Sequence, residues 1–151
     1  MTFSMKFAKY LPIVLCLLTL NSCKLFKKSN GDAQQSTVIT DRKWKLVELA
    51  GKPVPDLVNG KQPFLMLQKA EGRYSASGGC NGLGGTFTLE GQTRIKFASG
   101  MSTKMACENM EIENELTRAL TTADNYSISD DNLSLNRARM APLARFKAVK
   151  N

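Results

Sequence analysis

The 151-residue sequence contains no histidine, has a single tryptophan, and holds its aromatic residues to 7 %. A missing imidazole removes the side chain that most often binds zinc, takes a proton from serine or activates a cysteine near neutral pH. Histidine-bound metal hydrolases, Ser-His triads and Cys-His nucleophiles are thereby excluded. Long apolar runs are also missing. The longest, LPIVLCLLTL at residues 11–20, is half the length of about 20 residues that a membrane-spanning helix needs. The glycines of GGCNGLGG (78–85) are not followed by Lys and Ser/Thr, as a nucleotide P-loop requires. Thr86 opens a strand pattern where a dinucleotide loop needs a helix. No C-x-x-C pair is present, and Glu108 beside Cys107 opposes a reactive thiolate. The carboxylates offer no clear acid-base pair: Asp130 and Asp131 read as a turn, while Glu108, Glu111, Glu113 and Glu115 crowd a helix start, where solvation or capping accounts for them. The expectation is a protein without catalytic residues, metal or cofactor.

Positive charge is what the chain has in excess, with 21 Lys and Arg against 13 Asp and Glu for a net +8. Such a balance suits polyanions, either nucleic acid or an anionic lipid surface. The N-terminus decides between them. Lys6 and Lys9, the apolar run at 11–20 and then Asn21, Ser22 and Cys23 follow the basic, apolar, small-residue order of an export signal. LNSC at 20–23 resembles the lipobox of bacterial lipoproteins, in which the chain is cut before a cysteine that carries diacylglycerol; Asn21 replaces the commoner small residue. Ordinary signal cleavage is the alternative. Residues 1–22 are thus expected to be a lipoprotein signal peptide and Cys23 the lipidated residue. The chain after the cut keeps 19 basic residues, because Lys6 and Lys9 are lost, against 13 acids, a net +6. Two or three acyl chains hold a protein stably at a membrane, at about 0.8 kcal/mol per buried methylene. The expected location is the cell envelope, on the outer membrane or facing the periplasm. The expected partners are the membrane, anionic lipid or an envelope protein, and not nucleic acid.

Residues 23–40 carry the anchor and a polar tether, KLFKKSNGDAQQSTVIT, without apolar periodicity. A folded domain is expected over residues 41–151. WKLVEL (44–49) and FLML (64–67) read as strands largely buried on both faces, separated by AGKPVPDLVNGKQP, whose three prolines and two glycines interrupt regular structure. RYSASG (73–78) is a further strand. TFTLEGQTRIKF (86–97) alternates apolar and polar residues around Glu90, Gly91 and Gln92 and predicts a hairpin. Within MACENMEIENELTRALTTA (105–123), Ile112, Leu116, Ala119, Leu120 and Ala123 fall at helical spacing and predict one amphipathic helix of about four turns. NYSIS, NLSLN and PLARFKAV return to strand patterns. The order predicts an α+β fold: an antiparallel sheet or open partial β-barrel packed on a single amphipathic helix.

Five of the eleven glycines lie in SASGGCNGLGGTF (75–87). Gly79, Asn81 and Gly85 are read as residues of a structural turn and bulge, because glycine and asparagine reach conformations closed to other residues. The G-C-N turn, followed by MSTKMACEN (101–109) and a helix, resembles the META domain of the HslJ-like bacterial lipoprotein family. Trp44 with Leu46 and the last strands fit the same pattern. The resemblance implies a small domain of sheet or partial barrel with one helix, envelope or stress roles, and no established catalytic site. With Cys16 in the signal and Cys23 lipidated, Cys80 and Cys107 remain. They are either a disulfide, expected of an oxidising compartment, or two buried reduced thiols. The bridge would close a loop of 28 residues and stabilise by about 3.5 kcal/mol in the chain-entropy account. Trp44, Met101 and Met105 are candidates for an adaptable apolar pocket, with core filling as the alternative. A lipid or small ligand using the inside of an open barrel is the competing functional expectation.

Overall fold

The computed structural model describes residues 38–150, so the expected signal peptide, Cys23 and most of the expected tether lie outside the described residues. The strands are β1 (Lys43–Leu49), β2 (Lys52–Pro53), β3 (Phe64–Gln68), β4 (Arg73–Ser77), β5 (Gly82–Glu90) and β6 (Arg94–Ser102). The helix α1 (Glu111–Thr122) follows, and then β7 (Asn125–Ser129), β8 (Asn132–Asn136) and β9 (Ala144–Ala148). All neighbouring strands are antiparallel. β9 also pairs with β1, from Trp44↔Ala148 to Leu49↔Ala144, with a bulge between Leu46 and Glu48. That pairing closes eight strands into a barrel, with β2 as a short extension on β1. The expected open α+β arrangement is therefore corrected to a closed, mostly β barrel carrying one helix. The closing residues are about 100 positions apart in the chain, and no local periodicity records their partnership.

Alternation along each strand fills the interior, as an eight-stranded barrel requires. Trp44, Leu46, Leu65, Leu67, Leu133 and Phe146 have no exposed surface. Burying a large apolar side chain contributes about 1.5–3 kcal/mol. The outward residues of β1 and β3 are half-buried, so these strands are not buried on both faces as expected. Phe64 faces outward, with the Lys43 ammonium 4.6 Å from its ring centroid, which explains an apolar run on a partly wet surface. The indole N–H of Trp44 donates to the carbonyl of Ile39 at 2.8 Å, and Ile39 and Thr40 are buried. The folded part therefore begins before Asp41.

The hairpin forms in the expected place, with Phe87↔Phe97, Leu89↔Ile95 and Glu90↔Arg94 in register, and continues to Ser102. The helix is shorter than expected. It starts at Glu111 because residues 103–107 are held in an irregular path by bonds to the glycine-rich turn. Leu116, Ala119 and Leu120 join the core. β6 and β7 share only the register pair Arg94↔Asn125, which makes this joint the thinnest in the wall.

Candidate functional site

The residues singled out in the glycine stretch come together at the turn from β4 to β5. Gly79 has φ +107°, a conformation that side chains rarely adopt, and a Cβ there would stand 2.5 Å from the Cβ of Val58. At Gly78 a Cβ would lie 2.4 Å from the Cα of Glu113, so the turn presses directly on the first turn of α1. Gly85 sits where the β5–β6 register shifts, close to the carbonyl of Ala98. The turn and the bulge are both present.

Asn81 is the centre of this corner and is buried. Its side-chain amide donates to Glu113 Oε1 at 2.9 Å and to the Met105 carbonyl at 3.2 Å. Its Oδ1 accepts from the Met105 amide at 2.8 Å and from the Thr103 hydroxyl at 2.9 Å. Glu113 Oε2 accepts from the Asn81 backbone amide. Cys80 is joined to Cys107 by a disulfide across a sequence separation of 27, with Cα atoms 6.1 Å apart. The bridged alternative is thus the one found. One asparagine, one glutamate and one disulfide tie three segments together: the turn, the stretch after β6 and the entry to α1.

Glu113 corrects the sequence reading. It was expected among solvated or capping carboxylates, yet it is 5 % exposed. Its place in the helix gave the signal: Glu113, Leu116 and Leu120 follow the i, i+3, i+7 spacing of the buried stripe. An acid on that stripe needs donors, and Asn81 supplies them.

The expected pocket of Trp44, Met101 and Met105 does not form. Trp44 is sealed in the core, while Met101 is 82 % exposed on β6 and Met105 is half-exposed in the following loop. A long apolar side chain beside a cysteine motif carries no sign of which way it points. Met101 instead borders a small cleft of about 70 Å³ between β6 and α1, with Tyr74 and Leu83 also lining it. A second groove of about 320 Å³ lies between the β1–β2 turn and α1, lined by Leu49, Pro53, Val54, Ile112 and Arg118 among others.

Two ionisable groups are perturbed. Burial pushes the Tyr74 hydroxyl above its ordinary pKa. Asp124 is held below the ordinary carboxyl value, first by the Ala138 backbone amide at 2.8 Å and then by the Asn125 side chain at 2.7 Å. Neither touches the corner around Asn81. No buried side-chain nitrogen or oxygen among the described residues lacks a hydrogen-bond partner.

A G-C-N turn bonded to a T-x-M-A-C segment at the helix entry, inside a barrel of this topology, corresponds to a known family, whose pattern matches residues 37–150. The chain belongs to the META domain family. No curated protein matches it. The META domain is similar to an NMR structure of a protein from Burkholderia xenovorans, with TM-score 0.59 and 20 % identity, covering 83 % of this chain and 97 % of that one. A second NMR structure of a protein gives TM-score 0.56 at 20 % identity, over 72 % of this chain and 90 % of that one. The crystal structure of a DUF4847 family protein from Bacteroides vulgatus ATCC 8482 gives TM-score 0.53 at 18 % identity, over 73 % of this chain and 94 % of that one. These likenesses bear on the fold alone.

Proposed function

We propose that this chain is a lipid-anchored protein of the bacterial cell envelope, on the outer membrane or facing the periplasm, whose META domain is a non-catalytic binding or structural module in envelope maintenance or stress response. One observation carries the reading: the polar atoms of the Asn81 corner are engaged with one another. Asn81 and Glu113 bond to each other and to residues 103–105, and Cys80 is committed to a disulfide. A catalytic acid, base or nucleophile has to reach a reacting atom, and this corner presents none. The barrel interior is occupied by Trp44, Phe146 and leucines, which argues against a lipid or small ligand inside it. A small-ligand reading finds support only in the outer groove beside Ile112 and Arg118.

The anchor rests on Cys23 and the signal-like residues before it. In a bacterial host fed labelled fatty acid, Cys23→Ser is expected to lose the label and to leave the membrane fraction or remain unprocessed. Unchanged labelling of the variant refutes the anchor.

A further inference from the structure

The groove between the β1–β2 turn and α1 measures about 320 Å³, more than twice the volume of about 150 Å³ in which an apolar cavity takes up benzene. The cleft beside Met101, at about 70 Å³, is too small for such a guest. Both walls of the groove are held by bonds that a ligand would not disturb. The Ala50 amide donates to the Leu143 carbonyl at 2.9 Å and the Val54 amide to the Val47 carbonyl at 3.0 Å, which fixes the turn and β2. On the other side, Glu113 in the first turn of α1 accepts the Asn81 side-chain amide at 2.9 Å. The recess is therefore preformed, as ligand sites usually are.

Leu49 and Val54 are buried and Ile112 is half-buried, and together they give the groove an apolar lining. Four charged side chains border it. Glu115 and Arg118, both on α1, are bonded to each other at 2.5 Å and neutralise one another. Lys52 on β2 and Glu111 at the start of α1 are exposed, and neither side chain has a hydrogen-bond or ion-pair partner among the described residues. One wall thus offers an uncommitted cation, the other an uncommitted anion, with apolar surface between them. The four charges sum to zero, which favours neither a lipid phosphate nor a polycation. We propose that this groove binds a peptide of two or three apolar residues with both termini free. Lys52 takes its carboxylate, Glu111 its ammonium, and Leu49, Val54 and Ile112 its side chains. A single amino acid holds both charges on one carbon atom, whereas walls that admit an apolar side chain stand further apart. The peptide bond supplies that separation. The inference deepens the reading of the domain as a binding module, and rests on it.

The test titrates the full chain with the dipeptide leucyl-leucine and follows it by NMR. Saturable shifts are expected at the methyl groups of Val54 and Ile112, and rising salt is expected to weaken the binding. Blocking either terminus, as the N-acetyl form or as the amide, should weaken binding about two- to fivefold, the scale of a solvent-exposed ion pair. Lys52→Gln should abolish the preference for a free carboxylate and keep that for a free amine. Glu111→Gln should do the reverse. Both positions are exposed, so the fold should persist in each variant. No saturable shift, shifts confined to the cleft beside Met101, equal affinity for the doubly blocked dipeptide, or preferences unmoved by the two variants each overturns the proposal. The two readings fail separately. Absence of dipeptide binding with Cys23 labelling intact removes the groove and keeps the anchored module, whereas release of free leucine by the full chain would sink the non-catalytic reading whatever the affinity.

Discussion

β6 is held at two ends by different means. Past Ser102 the chain runs into a corner where Thr103 and Met105 bond to buried Asn81 and Cys107 is joined to Cys80. At the start of the strand, Arg94 makes the lone register pair to Asn125, beside a half-buried Asp124. The first joint is covalently closed and centred on two buried side chains, Asn81 and Glu113, whose polar groups depend on one another. The second is partly solvated and carries no covalent link, so it is held by few backbone bonds. The strand is therefore fixed firmly where it enters the helix connection and held more lightly where it begins.

The largest break in this contrast should come from Asn81→Ala. The substitution deletes the amide that serves Glu113 Oε1 and the Met105 carbonyl, together with the acceptor of the Met105 amide and the Thr103 hydroxyl. Each buried polar group left without its partner costs about 1–3 kcal/mol, and with several stranded at once a loss of about 4 kcal/mol is expected. Denaturant unfolding measures it, and a loss below about 1 kcal/mol would mean that water enters the corner and replaces the side chain.

Replacing Cys80 and Cys107 together by alanine comes next. The bridge closes its loop between the turn and the helix entry, and its removal is expected to cost about 3.5 kcal/mol through the entropy returned to the unfolded chain. The melting temperature should drop, and the sensitivity of the parent protein to reductant should disappear. A parent protein with two titratable thiols under non-reducing denaturation would contradict the bridge and leave the Asn81 bonds standing.

The same contrast shows what could be read from the sequence. Gly79, Cys80, Asn81 and Cys107 were legible because a glycine-asparagine turn is a local signal and a lone pair of cysteines in the domain has few readings. The hairpin around Gly91 and the stripe of Leu116 and Leu120 were legible because each repeats at its own period. Glu113 was missed although it lay on the stripe, since charge near a helix start has an easier explanation. The closure of β9 on β1 and the thin β6–β7 joint were not legible: both are pairings between residues distant in sequence, and strands that pair and strands that do not show the same alternation. Met101 and Met105 were misplaced for a related reason, because an unbranched apolar side chain carries no mark of inside or outside.

The smallest expected effect lies at the light joint. Asp124 is held below its ordinary pKa of 3.8 by the Ala138 amide, the Asn125 side chain and the nearby Arg94 and Arg137. A carboxyl whose folded pKa is depressed adds stability above its unfolded value and loses it as pH falls through the folded one. The group is partly exposed, so solvent and salt screen much of the gain. Asp124→Asn keeps an acceptor for Ala138 but cannot titrate. Melting temperature followed against pH for parent and variant should therefore show a small, constant advantage of the parent above the unfolded value of 3.8, shrinking as the solution is acidified below it. At the locked corner the corresponding loss from Asn81→Ala should remain large at neutral pH and respond far less to added salt, because Asn81 and Glu113 are buried. Equal salt sensitivity at both ends of β6 would erase the distinction between the covalently closed corner and the lighter joint, and with it the expectation that β6 is held firmly at one end.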